Sequence, residues 1–380
     1  MSELIRNMER RYDLTTKRGW LAYVTAPDRQ RPEELTRAQL KKLSSRATAE
    51  YDELRAVWNA NLGPIKTPQF IRVHDDLWNI LNANRQDGGS IREPAALDAF
   101  PGLGKTTIAN QFGVDYHRRQ LDRYGALTEE GHERIPVVRL QLTDETNRRD
   151  FNSKLCRFYN LPGYDKGTAN HLENKAIDAA QACETTLVIV DDVHFLDMRR
   201  RSGRAVANHF KALSNNVAAT FLHVGVGLAQ RGLFDEGLSD DDEELAQNGR
   251  RITPLTISPF EIETEDGRQI WRSLLLAIEF NVALTDKCRG MIADDLSDLL
   301  FARSTGHFAS LMSLIRRSCE AAIASRAEVL TEEIVSKVKI DGAAERSRQE
   351  LLAAMQAGKL SSRPEQQRKG WRRTRRPATA

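Results

Sequence analysis

The stretch Ala96–Phe112, ALDAFPGLGKTTIANQF, decides how this 380-residue chain is to be read. An apolar entry runs into a short Pro/Gly loop, then Gly104-Lys105-Thr106, then residues patterned as a helix. That is the layout of a phosphate-binding P-loop. Successive backbone N–H groups and a helix N-terminus face the anion, a lysine adds a point charge, and a threonine hydroxyl reaches Mg2+. Pro101, Gly102, Leu103, Gly104, Lys105, Thr106 and Thr107 are therefore the candidate nucleotide-binding residues. One position departs from the pattern G-x-x-x-x-G-K-[ST]: Ala99 stands where the first glycine belongs, and alanine resists positive φ.

A second anchor lies downstream in Thr185–Asp197, TTLVIVDDVHFLD. Its consecutive apolar residues Leu187–Val190 fit a strand buried on both faces of a parallel sheet. Asp191 and Asp192 close that strand at its C-terminal end, where α/β sheets bind ligands. This reads as a Walker B strand: Asp191 holds Mg2+ through its water shell, and Asp192 polarises the attacking water. His194, two residues past the acids, suits orienting the loop or capping a neighbour better than catalysis.

Between and beyond these anchors the pattern alternates strand and helix. Ile135–Leu142 is β-branched and alternating, with Pro136 at its start, where it interferes least. Helical periods cover 147–159, 172–183 and 205–213, and Ala218–Val226 is another buried strand. ATPases of this architecture often end that strand with a side chain on the γ-phosphate; here His223 is the only polar candidate nearby, and no role is assigned to it. The acidic run Ser239–Glu244 suits a solvated loop. Arg250 and Arg251 then precede an extended stretch leading out of the sheet. They are either a solvated pair or the source of an arginine finger for a neighbouring subunit's γ-phosphate.

Four segments are expected. Residues 1–64 are polar and helical, either an appendage packed on the main domain or a docking arm, and Gly63-Pro64 ends them. Residues 65–258 form the nucleotide-binding domain, with Thr67-Pro68 opening a helix that carries Phe70, Val73, Leu77 and Leu81. The Ile65–Pro68 connector is a reasonable seat for an adenine. Residues 259–340 read as a small helical domain with Thr331 capping its last helix. Residues 341–380 are a polar, basic tail, with 361–380 expected to be disordered.

Composition agrees with a soluble multi-domain protein. Hydrophobic residues make up 40% and charged residues 29%, and no apolar run approaches the ~20 residues needed to span a bilayer. The N-terminus carries acids and no apolar h-region, and the four scattered cysteines suit free thiols in a reducing cytoplasm. Net charge is +3, yet seven bases against one acid lie from Arg363 onward, so the rest of the chain is net acidic. A basic tail around Trp371 suits either non-specific phosphate contacts or a solubilising or protein-docking end.

A P-loop, a Walker B strand, an exit Arg pair and a helical lid in this order resemble the AAA+ ATPases. Within them the chain looks most like the TniB/TnsC-type regulators of DNA transposition. The points of match are Ile65–Thr67, Ala99–Thr107, Val190–His194, Gln247–Arg251, and Ser304–Gly306 ahead of a helix bearing Arg316-Arg317; together they span roughly residues 65–340. The resemblance implies a three-layer α/β sandwich around a parallel sheet, with a helical lid. It implies ATP and Mg2+ as cofactors, Lys105, Thr106 and Asp191 as their ligands, Asp192 as the catalytic acid, and Arg250 or Arg251 as the finger. It further implies a homo-oligomeric ring or filament on double-stranded DNA, with a transposase and a target-selector protein as partners and no membrane.

Three departures from the family pattern point to slow use of nucleotide: Ala99, Asp192 where a glutamate is usual, and Ala309 at the spacing of a lid sensor arginine. A signalling ATPase of the STAND type is the second reading, since it too accommodates an Asp-Asp pair. The absence of effector or repeat segments weighs against it. A metabolic kinase is a third reading, weakened by the lack of a visible second substrate site.

Overall fold

In the computed structural model the described residues are 10–86, 92–144, 146–196, 201–231, 233, 252–365 and 367. In chain order the helices are α1 (Lys17–Val24), α2 (Arg37–Lys42), α3 (Ser45–Ala60), α4 (Pro68–Ala83), α5 (Lys105–Tyr124), α6 (Arg148–Phe158), α7 (Ala169–Ala182) and α8 (Arg201–Val217). There follow α9 (Glu265–Asn281), α10 (Ser297–Ser304), α11 (Phe308–Ala324), α12 (Glu332–Lys337) and α13 (Gly342–Gln356). The strands are β1 (Ala95–Ala99), β2 (Val137–Gln141), β3 (Leu187–Asp191), β4 (Thr220–Gly225) and β5 (Thr253–Ile257).

The chain divides into two units, and the division cuts across the expected segment boundaries. One unit joins Arg11–Pro27 to Gln69–Ser258; the other joins Asp28–Pro68 to the chain from Pro259 onward.

The first unit is built on a five-stranded parallel sheet in the order β2-β3-β4-β1-β5. Every residue of β3 and β4 is buried, as continuous apolar runs in a sheet covered on both faces require. Helix α5 follows β1 and turns Ile108, Phe112 and Tyr116 inward at helical spacing. Helix α1, from the polar N-terminal segment, is bound to this unit. Trp20 is fully buried, and its Nε1 donates to His117 Nδ1 of α5 over 3.0 Å. Gly113 makes this possible: a Cβ there would lie 2.9 Å from the Trp20 ring and 2.7 Å from Ile189 Cδ1.

The second unit is helical. Its core gathers Leu62, Trp271, Leu275, Ile278, Leu300, Leu311, Ile315 and Val335. Helix α3 is part of this helical unit. Trp58 Nε1 donates to the Asn281 carbonyl at 2.7 Å, and the Asn59 amide exchanges two hydrogen bonds with the Ala283 backbone, at 3.2 and 2.8 Å. Arg55 is buried and pairs with buried Glu328 and with Asp52. Thr331 caps α12 through the Ile334 N–H, as its sequence position predicts.

The expected disorder from residue 361 does not begin there. Ser362 Oγ is 2.6 Å from Ser297 Oγ and donates to Asp298 Oδ1 at 2.7 Å. Arg363 is buried, donating to the Asp294 carbonyl at 2.7 Å and pairing with Asp298. A buried arginine that meets a carboxylate and two carbonyls is well satisfied, which composition alone does not reveal. The basic residues from Arg368 on lie outside the described residues.

Candidate functional site

The loop between β1 and α5 is shaped by two glycines. Gly102 and Gly104 adopt φ of 80° and 88°, the left-handed region that side chains with a Cβ avoid. Gly104 is the N-cap of α5 and supplies no side-chain acceptor, so the first-turn N–H groups face out of the loop uncapped by any side chain. Lys105 is the first residue of α5 and is half-buried. Leu103 is buried and anchors the loop, while Pro101 and Thr107 are exposed. Ala99 needs no glycine: it is the last residue of β1, in register with Ile257 of β5, in extended backbone.

At the end of β3 the two acids face different surroundings. Asp191 is buried, and its Oδ1 accepts the Asp192 N–H at 3.0 Å and the Thr106 hydroxyl at 3.5 Å. The P-loop threonine and the first acid are thus brought together, as the spacing of the two motifs predicts. Burial pushes the Asp191 carboxyl up from its ordinary value, and Arg139 opposes that shift. Asp192 sits in left-handed backbone at φ 59°, an uncommon place for a residue with a Cβ. Its Oδ2 accepts from Gln141 Nε2 at 2.9 Å.

His194 lies in the short 3-10 turn Val193–Phe195 with its Nδ1 buried, 3.8 Å from Asp192 Oδ1. Burial holds its pKa down. His223 is buried in β4, stacked on Phe210 at 5.4 Å between ring centroids, and burial pushes it down to about 4. It is a neutral core histidine. Arg250 and Arg251 lie outside the described residues. Ala309 belongs to α11 of the separate helical unit.

Three residues of this site escape motif reading. Arg139 and Gln141 of β2 are two apart and so lie on one face of the strand, with Gln141 in register with Asp191. Arg139 donates to Asp191 Oδ2 at 2.7 Å and to Asn110 Oδ1 of α5 at 3.3 Å. The sequence signal was present: an arginine and a glutamine interrupt an otherwise apolar strand, VVRLQ.

These residues suit a magnesium nucleotide. Two oxygen donors, Thr106 Oγ1 and Asp191 Oδ1, converge beside an uncapped helix N-terminus, the donor chemistry that a hard cation and its phosphate require.

Residues 63–241 match the family model of the Bacterial TniB protein. No curated protein matches the chain. Among solved structures, the Aeropyrum pernix ORC2 protein in ADPNP and ADP complexes superposes with a TM-score of 0.56 at 15% identity, covering 76% of this chain and 72% of that one. The Aeropyrum pernix ORC1 protein in complex with DNA gives 0.53 at 13% identity, covering 76% and 68%. At such identities the likeness is one of fold. With the parallel sheet, the P-loop and the acid pair in place, the chain has the AAA+ P-loop ATPase fold and, over residues 63–241, resembles the TniB family.

Proposed function

We propose that the chain is an ATP-binding, slowly hydrolysing switch that assembles on double-stranded DNA and recruits or activates a transposase. The observation that carries this reading is the convergence of Thr106 on Asp191, with Asp192 beside it, at the mouth of a P-loop. The match to the TniB model supports the transposition setting, and the DNA complex of the similarly folded ORC1 protein supports the choice of DNA.

In this reading the backbone of Pro101–Gly104 and the first turn of α5, Thr107 included, hold the phosphates while Lys105 neutralises their charge. Thr106 and Asp191 would hold Mg2+, which would offset the negative charge of the phosphates. Asp192 orients a water for attack, and Arg250 or Arg251 of an adjacent copy completes the site. The basic tail adds contacts to DNA phosphates. Asp192 is one methylene shorter than a glutamate and is engaged by Gln141, which supports slow turnover.

The test is phosphate release with and without duplex DNA. A several-fold change on adding DNA, lost in Lys105→Ala, is the expected result. Turnover indifferent to DNA contradicts the proposal.

A further inference from the structure

Arg139 is a charge that the P-loop and acid pair do not call for. Its side chain is 8% exposed and Asp191's is 5% exposed, so the pair is withdrawn from water. The guanidinium is held from two sides, by Asp191 Oδ2 at 2.7 Å and by Asn110 Oδ1 at 3.3 Å. Asn110 lies on α5, the helix that begins at the P-loop, and Arg139 lies on β2, so two elements fix its position. The Asp191 carboxylate is consequently divided. Oδ1 turns to Thr106 and the Asp192 N–H, and Oδ2 is neutralised by Arg139.

A carboxylate serves a divalent cation through its negative charge. One already paired with a buried guanidinium offers much less of it, because charges in a desolvated site are weakly screened. The same guanidinium cancels the repulsion that a bare Asp191 would exert on the phosphates of a metal-free nucleotide.

We propose that Arg139 is a built-in counter-charge to the metal-binding acid, which lets the P-loop hold ATP with only weak dependence on Mg2+. This rests on the nucleotide reading given above and adds to it a residue that sets how far occupancy of the site follows the cation. Nucleotide would then remain on the protein when Mg2+ is scarce, and Mg2+ would matter chiefly for turnover. Arg139 acts through Asp191 and is a positioning residue.

The experiment is calorimetric titration of the full chain with ATP, once in Mg2+ and once in EDTA, on the wild type, Arg139→Gln and Arg139→Lys. The expected wild-type affinities differ by less than about tenfold between the two conditions. Arg139→Gln widens that ratio by about tenfold or more, while Arg139→Lys, which keeps the charge, stays near the wild type. Circular dichroism checks that each variant is folded, and the wild-type ratio decides the matter alone if Arg139→Gln is not. A wild-type ratio of about a hundredfold, or an unchanged ratio in a folded Arg139→Gln, overturns the proposal. An ion pair with a purely structural role gives that unchanged ratio. Absence of ATP binding in both conditions overturns the nucleotide reading, and this inference with it.

Discussion

Gln141 Nε2 donates to Asp192 Oδ2 over 2.9 Å, tying the acid that follows β3 to the neighbouring strand β2. That hydrogen bond holds the Asp192 carboxylate toward β2. Asp192→Asn is expected to leave ATP binding intact and to lower turnover by about a hundredfold or more, the scale of a lost general base. Gln141→Leu releases the carboxylate and is expected to raise turnover. Steady-state phosphate release measures both, and unchanged hydrolysis in Asp192→Asn would remove that residue from the mechanism.

Trp20 makes a prediction about domain organisation. It is fully buried against α5, although it belongs to a segment whose composition suggests an appendage. Trp20→Ala is expected to cost about 3–5 kcal/mol, the range for emptying a large aromatic site. Urea unfolding followed by circular dichroism reads the change. A loss under about 1 kcal/mol would mean that α1 is not integral to the nucleotide unit.

Acid should destabilise the same unit through its buried histidines. His117 accepts a hydrogen bond from Trp20 on Nδ1, and burial holds both His117 and His223 down to about 4, against 6.5 for a free histidine. Between those values the unfolded chain binds protons that the folded chain does not, so unfolding takes up protons. Their contribution is therefore intact above about pH 6.5 and is lost progressively as pH falls toward 4. The melting temperature should drop across that window. His223→Phe, placed among Phe210 and Phe221, should flatten the dependence, and an equally steep profile in that variant would contradict the assignment.

Local signals in the sequence were sufficient for four of the five strands and for the P-loop, whereas Thr253–Ile257, expected to lead out of the sheet, pairs with β1 as its edge strand β5. Leu187–Val190 is apolar without interruption because β3 is covered on both faces, and Gly102 and Gly104 stand where the loop turns left-handed. Ala99 looked out of place only because the motif assigns that position to the turn, whereas here it ends the strand. What composition did not reveal depends on partners distant in sequence. The apolar face of Tyr51, Val57 and Trp58 marks a helix, yet nothing local says that α3 packs with residues beyond 280 rather than with the sheet. In the same way, Arg139 and Gln141 become site residues only once β2 is placed beside β3.

ATP-controlled assembly on DNA is directly visible by imaging. Electron microscopy of the wild type with ATP and duplex DNA is predicted to show rings or helical filaments. Asp192→Asn should form them as well and hold them longer, while Lys105→Ala should form none. A wild-type protein that stays monomeric with ATP and DNA would contradict the claim.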